Sequence, residues 1–123
     1  MKEPTVNAAA DRAQKALIDF YWDQGDVILR QHLPHDRSEN FSYWWQAHAI
    51  DVLLDGYLRT EDPVYLRWVD KELKGTIAHN SGSILNNWYD DMEWMALALL
   101  RAWDITGEES YRKKAEFLWQ DIK

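Results

Sequence analysis

The chain has 123 residues, which is enough for one domain around a single core and too few to suggest two. Its 46% hydrophobic and 28% charged residues are those of a soluble globular protein, and the absence of cysteine excludes disulfides and thiolate metal sites. A net charge of -7 argues against nucleic acid and anionic membranes as partners, since both demand a positive surface, and leaves a neutral or cationic ligand.

The N-terminal MKEPTVNAAADRAQ has no apolar signal core, and no later run approaches the ~20 apolar residues of a membrane span. The chain is therefore expected to be cytoplasmic, or secreted with its signal already removed. A first helix is predicted from about Ala8 to Trp22, with Ala13, Ala16, Leu17, Phe20 and Tyr21 at the spacing of one buried face. The stretch from Val27 to Phe41, with Pro34 and His35, is expected to be a loop long enough to form a rim or a short extra strand. Elsewhere no strand pattern is visible. Asn40-Phe41-Ser42 matches a glycosylation sequon, which matters only in a secreted eukaryotic chain.

A second helix, about Tyr43 to Arg59, is apolar nearly all round and belongs inside. The third follows Asp62-Pro63, where Asp62 can cap the free amides and Pro63 suits a first helical position, and runs to about Ala78. A polar loop from His79 to Trp88 leads to a fourth helix, about Asp90 to Asp104, again densely apolar through Met92, Trp94, Met95, Leu99 and Trp103. The fifth, from about Glu109, alternates Tyr111, Ala115 and Leu118 with charge and has the pattern of an outer helix.

These elements repeat. A shift of 46 positions lays Tyr65 on Tyr111, Thr60 on Thr106, and Leu53-Leu54 on Leu99-Leu100. Paired helices at such a period belong to α-solenoids or α/α toroids, whose hairpins bury their faces against neighbours. With two hairpins and one preceding helix, about five helices in all, the ring is expected to be incomplete. Exposed inner-helix flanks would then favour self-association. The same shift lays Trp44-Trp45 on Asp90-Asp91, so an aromatic pair and an acidic pair each begin an inner helix and would face one cavity of a closed ring.

The 8 Trp, beside 6 Tyr and 3 Phe, are more than a core of this size needs. Aromatic faces are also platforms for the C–H faces of sugar rings. Asp90-Asp91 stands beside Trp88-Tyr89 at the start of an inner helix. One reading is a capping box, Asp90 with Glu93, favoured by the helix dipole. The other is a catalytic pair: carboxyls from adjacent Cα atoms can reach the ~5–5.5 Å separation of a retaining glycosidase. The two readings are compatible. His48, three residues after Trp45, would bond a sugar hydroxyl beside a Trp44 or Trp45 platform, with Asn87 and Trp88 as further contacts; packed in a core it would need only one partner. A metal site from Asp90, Asp91, Glu93 and His48 is disfavoured, because Asp91 and Glu93 diverge on a helix and no metal-binding spacing is present. No cofactor is called for.

The runs Asn87-Trp88-Tyr89-Asp90-Asp91-Met92-Glu93-Trp94 and Tyr43-Trp44-Trp45-Gln46-Ala47-His48-Ala49 resemble glycoside hydrolase family 76, the endo-α-1,6-mannanases, as do Thr106-Gly107-Glu108 and Tyr111. The similarity runs from about residue 40 onward and is most specific at Tyr89-Asp90-Asp91. It implies an all-α (α/α)6 toroid with residues 1–123 as the N-terminal part of one domain, and a retaining hydrolase or transglycosylase acting on α-mannan. By position, it implies Asp90 as nucleophile and Asp91 as acid/base. Trp44, Trp45, His48, Asn87, Trp88 and Tyr89 are the expected substrate contacts. Family members are several times longer than one or two hairpins, so these helices alone are expected to be inactive. The competing expectation is a non-catalytic helical-repeat module that binds carbohydrate or a protein partner.

Overall fold

The computed structural model describes residues 5–35 and 40–123. Helix α1, Val6–Ala16, runs on into a wider π turn over Leu17–Tyr21; then come β1, Trp22–Asp23, and β2, Ile28–Leu29. Four more helices follow: α2, Tyr43–Thr60; α3, Val64–His79; α4, Tyr89–Thr106; and α5, Glu109–Ile122. The all-α, five-helix expectation agrees with this order. The expected loop from Val27 to Phe41 contains β2, and its positions 36–39 lie outside the described residues.

The strands form a two-stranded antiparallel hairpin with Trp22 opposite Leu29 and Asp23 opposite Ile28. Asp23 builds the turn: its carboxylate accepts from the Gly25 amide at 2.9 Å and from Arg30 Nε at 3.0 Å. Strands of two residues carry no readable period, so only a turn residue could have announced them. The hairpin presses on α3 at Gly75, where a Cβ would come within 1.6 Å of the Val27 carbonyl oxygen; glycine is what permits the contact.

Side chains cap two helix starts; Asp62 caps as expected, whereas Pro63 stands one residue before the first helical position expected for it. Thr5 Oγ1 accepts from the Ala8 amide at 3.1 Å, and Asp62 Oδ1 from the Val64 amide at 2.9 Å, with Pro63 immediately ahead of α3. The repeat is visible in the backbone. α2 and α4 each span 18 residues, and Tyr43/Tyr89 and Thr60/Thr106 mark their ends. Thr60 donates to the Gly56 carbonyl at 2.8 Å and Thr106 to that of Ala102 at 2.7 Å. Each helix then stops on a left-handed residue, Glu61 at φ 58° and Gly107 at φ 71°.

Helix α3 packs on α2, α5 on α4, and α2 on α4, so α2 and α4 form an inner layer and α3 and α5 an outer one. Between the layers Ile50, Leu53, Leu54, Met92, Met95 and Leu99 are fully buried, each contributing about 1.5–3 kcal/mol of transfer free energy. Helix α1 docks on α2 through Gln14 Nε2, which donates to the Val52 carbonyl at 2.9 Å, and through Arg59, which meets Asp11 at 2.6 Å.

Two flanks of the inner layer remain open. On one, Trp45, Ala49 and Val52 of α2 form a groove with Leu17 and Leu29; on the other, Ala96, Leu97 and Leu100 of α4 form one with Ala115, Trp119 and Ile122. The 46-residue shift explains both. It turns Ala49 and Val52 into Met95 and Ala98, and Ala96 and Leu100 into Ile50 and Leu54, all buried in the core that α2 and α4 share. The grooves are thus the two halves of one helix–helix seam, each lacking its opposite half.

Candidate active site

The loop before α4 determines where the acidic pair sits. Asn86 Oδ1 accepts from the Trp88 amide at 2.7 Å, and Asn86 Nδ2 donates to Asp91 Oδ2 at 3.2 Å. This turn starts the helix at Tyr89, one residue before the pair, so Asp90 and Asp91 occupy its first turn, where the dipole favours negative charge. The expected capping box is not formed, because Asp90 already lies inside the helix. Its Oδ1 accepts instead from the adjacent Asp91 amide at 3.0 Å, and Glu93 points to the α4–α5 groove.

The two carboxyls differ in environment. Asp90 is exposed and Asp91 half-buried. Burial raises the Asp91 pKa above the ordinary aspartate value, the negative charge of Asp90 raises it further, and the Asn86 hydrogen bond opposes both. Tyr43, the first residue of α2, stands within electrostatic reach: its buried hydroxyl donates to the Ile84 carbonyl at 2.7 Å, and burial followed by the Asp91 charge raises its pKa. The starts of α2 and α4 therefore lie side by side.

At about 100° per residue, Trp44, His48, Asp51 and Asp55 fall on one stripe of α2, and their counterparts Asp90, Trp94, Leu97 and Arg101 on the same stripe of α4. Both stripes are exposed or half-buried, with Leu97 also reaching the groove against α5. The rungs touch. Trp44 meets His48 at 5.6 Å edge to face, His48 meets the Trp94 ring at 4.7 Å, and Arg101 bonds Asp51 at 3.3 Å and also Asp55. From helix start to helix end the uncovered face reads acid and indole, then imidazole and indole, then an ion-pair cluster.

The residues expected to contact substrate are placed unequally. Trp44 and His48 are on this face. Trp45, about 100° round the helix from Trp44 and 5.6 Å from its ring, lines the seam groove, which Trp44 and His48 also edge. Asn87, Trp88 and Tyr89 are exposed in the loop and first turn beside the pair, with Trp88 67% and Tyr89 61% accessible. Sequence reasoning passed over Asn86, Tyr43 and Trp94. Asn86 stands two residues before Trp88, the spacing of an Asn turn; Trp94 stands four after Asp90, one turn along the same stripe. Among the described residues, no three His, Asp or Glu side chains are placed to share a metal ion, and no helix is long and apolar enough to cross a membrane.

Helical hairpins in an inner and an outer layer, with inner-helix starts gathered at one end, define a segment of an α/α toroid. The sequence model of glycosyl hydrolase family 76 matches residues 5–123, and the chain belongs to that family. Among solved structures it is similar to the α-1,6-mannanase GH76A of Salegentibacter sp. HEL1_6, at 37% identity and a TM-score of 0.83, covering 91% of this chain and 32% of that one. An inactive variant of that enzyme, with two consecutive aspartates changed to asparagine, was solved in complex with α-1,6-mannotriose and matches at 35% identity and a TM-score of 0.84, with the same coverage. A Listeria innocua protein matches at 35% identity and a TM-score of 0.80, covering 91% of this chain and 34% of that one. The chain thus spans about a third of the length of these relatives. No match was found among curated proteins.

Proposed function

We propose that this chain carries the catalytic pair of a retaining endo-α-1,6-mannanase, with Asp90 as nucleophile and Asp91 as acid/base. The observation that carries the reading is the inactive relative: it lost two consecutive aspartates and was solved with an α-1,6-mannooligosaccharide, and Asp90-Asp91 is the one Asp-Asp pair in this sequence. The raised pKa of Asp91 supports the division of roles, since the donor must hold a proton while the nucleophile is ionised.

In the first step the Asp90 carboxylate forms a bond to the anomeric carbon. The bond to the glycosidic oxygen breaks, and that oxygen takes the Asp91 proton. In the second step Asp91, now a carboxylate, accepts a proton from water as the water oxygen displaces Asp90, which restores the starting anomeric configuration. A sugar hydroxyl in place of water gives transglycosylation with the same proton movements. Because a toroid hairpin needs neighbours on both sides, these five helices alone are expected to turn nothing over; the activity is proposed for the closed ring.

The test is reducing-end release from α-1,6-mannan by the whole native protein. Asp90→Asn and Asp91→Asn should each lower kcat by about 10²–10⁴-fold or more, the range of a lost acid/base or nucleophile. Unchanged rates in both variants would remove the pair from catalysis. Mannooligosaccharide binding without turnover by the unaltered protein would instead favour a carbohydrate-binding module.

A further inference from the structure

Trp94 has a packing that a core role does not explain. It is 45% exposed, yet His48 of the neighbouring helix lies against its ring at 4.7 Å. One side of the indole is occupied and much of the rest is open. The open part lies away from the main flank of the seam. At about 100° per residue, Trp94 lies about 40° round α4 from Asp90 and at least about 120° from Ala96 and Leu100, with Leu97, at the groove's edge, about 60° away. Trp94 itself lines neither seam groove.

Along the helix axis Trp94 is four residues, about 6 Å, from Asp90 and three residues, about 4.5 Å, from Asp91. That is one rung away from the carboxyls on the same uncovered face. Beneath it, His48 also meets the Trp44 ring edge to face at 5.6 Å.

We infer that Trp94, backed by His48, is a stacking platform for the sugar ring adjacent to the one attacked. This deepens the mannanase reading of the same site and rests on it. A flat apolar face is what a pyranose offers through its axial C–H groups, and a neutral sugar suits an uncharged platform beside two acids. His48 serves as a positioning residue: it orients the indole, and the sugar contact is made by Trp94.

The experiment measures α-1,6-mannotriose affinity in the whole native protein carrying Asp90→Asn and Asp91→Asn, by calorimetry and tryptophan fluorescence. Adding Trp94→Ala should weaken binding about tenfold or more, which corresponds to about 1.4 kcal/mol. Trp94→Tyr should restore part of it. Trp94→Leu keeps apolar packing on His48 but has no aromatic face, so it should lose as much as alanine even if the alanine variant folds poorly. Phe117→Ala, on the outer helix, should change nothing. With the aspartates intact, Trp94→Ala should raise KM far more than it lowers kcat. Full affinity in the leucine variant, with hydrolysis by the unaltered protein intact, overturns the platform and leaves the mannanase reading standing. Absence of both hydrolysis and mannotriose binding in the unaltered protein overturns both.

Discussion

The two hairpins α2–α3 and α4–α5 share one backbone and differ at the positions that set their tasks. Both inner helices are 18 residues long, both end with a threonine bonded to the carbonyl four residues back, and both stop on a left-handed residue. At the start, one presents Trp44-Trp45 and the other Asp90-Asp91; near the end, Asp55 of one pairs with Arg101 of the other. In the outer helices Glu72 stands where its counterpart is Leu118, and both are fully buried. A duplicated scaffold thus keeps its helix lengths and threonine ends and diverges along the exposed inner-helix stripe and at one charged position in the core.

The buried pair of counterparts gives the largest expected effect on stability. The Glu72 carboxylate is fully buried with no charged or side-chain partner at hydrogen-bond distance among the described residues, and burial pushes its pKa from 4.5 up to about 8, against a smaller lowering by the nearby Leu29 amide, which is too poorly placed to satisfy either oxygen. The folded protein therefore binds this proton more tightly than the unfolded chain does. Stability should be highest below about pH 4.5 as far as this group is concerned, fall as pH rises towards about 8, and level off above it. Glu72→Leu, copying the other hairpin, should remove that slope and stabilise the protein at pH 8 by a few kcal/mol, read from urea midpoints at several pH values. Leu118→Glu should do the reverse and cost on the order of 3–5 kcal/mol at pH 8. A flat pH profile for the unaltered protein would mean that Glu72 finds a partner when folded.

A smaller effect separates the two helix ends. Glu61 takes the left-handed conformation without the freedom of glycine, whereas Gly107 has it. Glu61→Gly should stabilise by a few tenths to about 1 kcal/mol, and Gly107→Ala should destabilise by a similar amount, measured by thermal melts. Equal and negligible shifts would show that the two hairpin turns are not strained differently.

The two hairpins also show what was legible in the chain. Helix identity and the repeat could be read because α2 to α5 carry long apolar periods and strong breakers such as Pro63 and Gly107. The β1–β2 hairpin could not, since its four strand residues have no period and its turn depends on Asp23 gripping Arg30, a contact that only the fold creates. At the site, Asp90 and Asp91 stood out by adjacency. Asn86 did not, because its bond to Asp91 spans a turn, and Trp94 passed as core because an indole in an apolar helix looks the same whether its face is covered or open. Trp45 was grouped with Trp44 although neighbours on a helix point about 100° apart.

The central claim is that the start of α4 holds two carboxyls with different tasks, and leaving-group dependence tests it most directly. A dinitrophenyl α-1,6-mannobioside needs little protonation as its aglycone departs. On it, Asp91→Asn in the whole native protein should release dinitrophenol nearly as fast as the unaltered enzyme in the first turnover, while remaining slow on mannan. Asp90→Asn should be inactive on both, for want of a nucleophile. Rapid release by Asp90→Asn and none by Asp91→Asn would contradict the assignment and exchange the two roles.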